Sequence, residues 1–141
     1  KKAILYYKKA YEVDPNHSNL RLQIGKTYNR SKTVEFAIPY LETAIERAPK
    51  SYLLYKELSY TLVLLNRIKE AQKIAKKGIR LCANKKGKFQ IAFDLAKVFY
   101  AKKNAKSFKK WINKSQKYAK EGSVNSKQVR KLKEGAKKWS K

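Results

Sequence analysis

The chain has 141 residues, 43% of them hydrophobic, enough for one compact domain or a short repeat array. Lys+Arg number 36 against 10 Asp+Glu, and the resulting formal charge of +26 suits anionic partners. The longest purely apolar run, Leu62-Val63-Leu64-Leu65, is too short to cross a bilayer, and the lone Cys82 excludes an intrachain disulfide or a cysteine metal cluster.

The opening KKAILYYKKAYE is too interrupted by lysine and Glu12 for a signal h-region; it reads as a helix from about Ala3 to Val13, stopped at Asp14-Pro15. A polar turn carrying His17 follows, and then a second helical run, NLRLQIGKTY, with Gly25 at its centre. Interior glycine costs a helix about 1 kcal/mol relative to alanine, so its presence points to a close crossing with another helix. In the next run, AIPYLETA, Pro39 removes one backbone donor, and the helix either starts late or bends there. Apolar residues recur at three- and four-residue spacings to the end of the chain, without lasting β-type alternation. The polar stretch Asn84 to Lys88 reads as an enlarged loop. Beyond Gly122, Ser126 is a candidate N-cap, and Val129, Leu132, Ala136 and Trp139 form one apolar stripe on an otherwise lysine-rich helix or tail.

Self-comparison gives a fixed period. Pro15 and Pro49 are 34 residues apart, as are the steps Ala3–Ala37–Ala71 and Ala10–Ala44–Gly78. Ile24, Gly25 and Tyr28 reappear as Leu58, Ser59 and Leu62, and then, displaced by 37, as Leu95, Ala96 and Phe99. Two helices per 34 residues, with small residues at set places and a closing proline, resemble the tetratricopeptide repeat family. The resemblance covers roughly residues 1–119; it is carried by Ile24, Gly25, Tyr28, Ala37, Leu41, Ala44 and Pro49, and then by Tyr55, Leu58, Ser59, Leu62, Ala71, Ala75 and Gly78. In the last unit Phe108, Ile112 and Ser115 stand where a small-large-small set is expected.

The resemblance implies an all-α, right-handed superhelical solenoid of antiparallel helix pairs. Residues 1–15 would be the second helix of a truncated repeat, 16–49 and 50–83 two full repeats, 84–120 a degenerate repeat after a loop insertion, and 121–141 a basic cap helix or tail. A half-repeat cannot bury both its faces, so the chain is expected to continue before Lys1. Gly25, Ser59 and Ala96 would fill the close crossings, with Ala37 and Ala71 as small partners opposite. Such repeats hold proteins or extended peptides in a concave groove, lined here by Gln23, Lys26, Asn29 and Arg30, then Lys56, Glu57 and Tyr60, then Gln90, Asp94 and Lys97. The carboxylate-clamp subclass is not matched, because Leu22 and Leu53 occupy two of its positions.

No catalytic constellation emerges. His17 is the only histidine and has no ligand-spaced neighbours, Cys82 reads as packing, and Lys86-Gly87-Lys88 is a poor phosphate loop. Asn29-Arg30-Ser31 and Asn113-Lys114-Ser115 fit only the short glycosylation sequon. The expectation is a non-enzymatic interaction module without cofactor or metal, whose partner is an acidic protein or peptide. The alternative is sequence-independent binding of nucleic acid or an anionic membrane surface. Residues 84–141 hold 19 basic and 3 acidic side chains, against 17 and 7 in residues 1–83. Trp111, Tyr118 and Trp139 lie among those lysines, at spacings that fit either base stacking or a core-facing stripe.

Overall fold

The computed structural model describes residues 2–14 and 19–140; Pro15 and the His17 turn lie outside them. The described chain is all-helical: α1 Lys2–Val13, α2 Leu20–Asn29, α3 Ala37–Arg47, α4 Tyr52–Leu64, α5 Ile68–Leu81, α6 Lys85–Ala101, α7 Ala105–Glu121 and α8 Lys127–Ala136. Short 3-10 segments precede α3 (Val34–Phe36) and follow α8 (Lys137–Ser140). Every helix packs on its neighbours in the chain, and α4 also touches α2 and α6, while α8 packs on both α6 and α7.

The buried core runs from α2 to α8, with α1 packed against its end by partly buried side chains. Ile24, Leu41, Tyr55, Val63, Phe99 and Trp111 are each at most 1% exposed. Gly25 answers its own question: a Cβ there would lie 2.6 Å from Leu41 Cδ2 and 2.7 Å from Leu41 Cγ. The crossing partner is therefore the branched Leu41 side chain and not the small Ala37 expected from the period. Gly78 repeats the device against Tyr55, whose Cβ would lie 2.5 Å from an added methyl. Tyr55 in turn donates its hydroxyl to the Pro49 carbonyl at 2.7 Å, tying α4 to the turn before it.

Pro39 falls in the first turn of α3, where the backbone N–H has no intrahelical partner to lose; the helix simply starts late. The expected loop at Asn84–Lys88 is not a loop. Asn84 caps α6 by accepting from the Lys86 N–H at 2.8 Å, and the helix runs 17 residues against 13 for α4. The three extra residues are taken up as helix, because asparagine is a strong cap and Gly87 fits closely against Cys82 and Tyr52. Cys82 itself is buried, its Sγ 3.3 Å from the Asn84 carbonyl.

Three helices end alike. Asn66, Lys103 and Ser123 have φ of 61°, 56° and 55°, and the residue after each donates back five positions: Arg67 to Leu62, Asn104 to Phe99, Val124 to Ala119. This left-handed closure satisfies carbonyls that the helix end would otherwise leave open. At α8 the expected Ser126 side-chain cap is absent, and Asn125 Oδ1 accepts from the Lys127 N–H at 2.9 Å instead. The stripe on that helix does pack. Val129 is fully buried, and the Trp139 ring lies 5.0 Å from Tyr100 and 5.4 Å from Phe108.

Candidate functional site

Helices α2, α4 and α6 enclose a cleft of about 480 Å³. Successive turns of each helix face it: Lys26, Asn29 and Arg30 from α2 and its end, then Lys56, Glu57, Tyr60 and Leu64, then Asp94, Lys97, Val98 and Ala101. Lys102 closes the rim. The spacing is the helical one that puts residues three and four apart on one face. Eight of the ten groove residues expected from the sequence thus share one hollow. Gln23 lies in a separate hollow beside Tyr7, Ala10 and Leu20, and Gln90 stands behind the wall, bracing Asp94 with a 2.8 Å hydrogen bond.

The cleft is apolar below and cationic above. Leu64, Leu95, Val98, Ala101 and the Tyr60 ring make the floor, with five basic residues against Glu57 and Asp94. Both carboxylates are already engaged. Asp94 holds Lys56 at 3.1 Å and Lys97 at 3.4 Å, and Glu57 Oε2 accepts from Asn29 Nδ2 at 3.0 Å. Among the described residues, no carboxylate reaches salt-bridge distance of Lys26, Arg30 or Lys102.

Asn29 is the exception among the expected contact residues. It is only 5% exposed, and its amide is consumed internally: Nδ2 reaches the Glu57 carboxylate and, at 3.4 Å, the Glu57 carbonyl, while the Thr61 hydroxyl donates to Oδ1 at 2.7 Å. Asn29 joins α2 to α4 across 28 residues of sequence and sets the width of the cleft there. The floor residues Leu64, Leu95, Val98 and Ala101 and the rim residue Lys102 were not among those expected. Leu64 lies one turn past Tyr60, and Val98, Ala101 and Lys102 lie one to two turns past Asp94.

No family model, curated protein or solved structure matches the chain. Its chemistry must be read from its own side chains. Among the described residues no three His, Cys, Asp or Glu converge as metal ligands, and no helix is long and apolar enough to cross a membrane.

The aromatics set among the C-terminal lysines are not free platforms for bases. Trp111 is fully buried, and its indole N–H donates to Gln72 Oε1 at 3.0 Å, fastening α7 to α5. Trp139 is packed on Tyr100 and Phe108, and Tyr118 is partly buried, which pushes its phenol pKa up. What the lysines can offer an anion is charge alone.

Proposed function

We propose that the chain is a tetratricopeptide-like α-solenoid module that binds an acidic protein segment in the cleft between α2, α4 and α6. The 34-residue period, the helix pairs α2–α3, α4–α5 and α6–α7, and the successive contacts of α2, α4 and α6 support this architecture. In such an array the first helices of successive pairs line the inner, concave side. The observation that carries the functional reading is the pairing of an apolar floor with unneutralised cations at Lys26, Arg30 and Lys102. A guest of matching character is an extended segment with at least one large apolar side chain seated on Leu64 and Val98 and carboxylates facing the rim. Long-range attraction from a charge of +26 speeds the encounter.

Fluorescence anisotropy with a labelled acidic peptide carrying a central leucine tests the reading. Lys26→Glu together with Arg30→Glu should weaken binding about tenfold or more, equivalent to about 1.4 kcal/mol. Both side chains lie at the rim, so the melting temperature should hardly move. Equal affinity of wild type and variant would remove the cleft from the interaction.

A further inference from the structure

A second charged feature lies away from the cleft, where side chains of α5 and α7 meet. Gln72 Oε1 accepts from the buried Trp111 indole at 3.0 Å and from Lys110 Nζ at 3.4 Å. Lys110 Nζ and Lys114 Nζ stand 5.8 Å and 4.9 Å from the centre of the same indole. Lys76 of α5 faces them both: it is the main neighbour that holds the Lys110 ammonium below its usual pKa, and, after burial itself, the main charge acting on Lys114. Lys117 adds to the same group.

Like charges held together in this way need a reason or a counterion. Among the described residues no carboxylate is paired with these lysines. The only acid on α5, Glu70, is paired with Arg67, and the only acid on α7, Glu121, lies at its last residue. The row is also extended. Lys106, Lys110, Lys114 and Lys117 follow one another at three- and four-residue steps on α7, and Lys69, Lys73, Lys76 and Arg80 do so on α5. The α7 row alone covers about 16 Å of helix axis at 1.5 Å per residue.

We propose that this α5–α7 seam binds the phosphodiester backbone of a nucleic acid, independently of base sequence. A strand offers one charge per about 3.4 Å of axis, dense enough to serve several crowded ammonium groups together. Lysine acts on phosphate as a point charge. Trp111, the ring against which Lys110 and Lys114 stand, is fully buried and so unavailable to bases, which directs contact to the backbone. A membrane surface fits less well. Among the described residues the exposed large hydrophobic ones are Leu5, Tyr6, Val13 and Phe36, none of them on α5 or α7, so the seam has no apolar anchor to insert.

The test uses the full chain and a labelled single-stranded homopolymer oligonucleotide, titrated across a range of salt. Wild type should bind with a steep negative slope of log K against log salt. Lys76→Gln with Lys110→Gln and Lys114→Gln should weaken binding at least tenfold and flatten the slope by about two to three. A control of equal charge loss, Lys9→Gln with Lys32→Gln and Lys50→Gln, should retain most of the affinity. The cleft variant Lys26→Glu with Arg30→Glu should lose less than the seam variant, which separates this site from the cleft. Folding is monitored by helicity and melting temperature; the seam variant should melt no lower than wild type, since it removes repulsion. Equal losses in the seam and control variants would reduce the effect to net charge and overturn the proposal. So would stronger seam-dependent binding to phosphatidylserine vesicles or polyglutamate than to the oligonucleotide.

Discussion

Gly25→Ala offers the sharpest test of the packing. The added methyl carbon would sit 2.6 Å from Leu41 Cδ2, 2.7 Å from Cγ and 3.2 Å from Cδ1. Carbon atoms prefer about 3.5–4.0 Å, so nearly 1 Å must be found. Leu41 has no exposed surface: turning χ2 leaves Cγ where it is, and turning χ1 drives the branch into the surrounding core. The helices must part slightly, at about 1–3 kcal/mol. Against this, alanine improves helix propensity by about 1 kcal/mol, leaving a net loss of about 0–2 kcal/mol. The decisive comparison is on a Leu41→Ala background, itself destabilised by about 2–5 kcal/mol. There the obstruction is gone, and Gly25→Ala should become stabilising by up to about 1 kcal/mol. Urea unfolding followed by circular dichroism gives all four corners of the cycle, with an expected coupling of about 0.5–3 kcal/mol. If Gly25→Ala stabilises both backgrounds equally, the glycine is not a contact point.

Three further outcomes are expected. Ser59→Ala should raise stability, because the Ser59 hydroxyl is buried without a partner among the described residues and its removal relieves about 1 kcal/mol or more of desolvation; thermal melting checks this. Lys103→Gly should also stabilise, by about 1 kcal/mol, since Lys103 adopts φ 56° at the α6 terminus where glycine carries no Cβ penalty; a lower urea midpoint would refute that. Stability should pass through a maximum near pH 10. Lys110 and Lys114 have depressed pKa values, so the folded chain binds fewer protons there and gains stability as pH rises through them towards 10.5. Tyr40, Tyr55 and Tyr118 have raised values from burial, so the folded chain keeps protons that the unfolded chain releases, and stability falls above about pH 10. Lys76→Gln should flatten the rising limb in pH-dependent urea melts.

Periodicity made the helices and most of the cleft legible before any coordinates, because the residues that face inward on α2, α4 and α6 recur every 34 or 37 positions. Lys26, Tyr60 and Lys97 are one such set, and all three line the hollow. Where the reading failed, composition had stood in for local geometry. Asn84 to Lys88 looks like a loop by polarity, yet one side-chain cap converts it into the start of a helix. Asn29 has the polarity of a contact residue, and only its neighbours Glu57 and Thr61, 28 and 32 positions on, reveal that its hydrogen bonds are already spent. Repeat position points to a small residue opposite Gly25, whereas the crossing point is set by how Leu41 leans along its helix. The α5–α7 seam had no signal beyond lysine spacing, since nothing in the sequence says that Lys76 and Lys110, 34 positions apart, meet.

The two proposed sites draw on one excess of charge in unlike ways. In the cleft, Asp94 and Glu57 neutralise part of the cationic rim and fix Lys56, Lys97 and Asn29 in place, so a guest meets a shaped recess with an apolar floor. At the seam no acid among the described residues is paired with Lys76, Lys110 or Lys114, and Trp111, fully buried, offers a ligand no apolar seat. Affinity at the seam must be almost wholly ionic and should collapse as added salt shortens the screening length below about 8 Å. Affinity in the cleft keeps the share contributed by Leu64, Val98 and Tyr60. Raising salt should thus strip a polyanion from the chain before it releases an acidic peptide, and the order of release distinguishes two sites from one diffuse field.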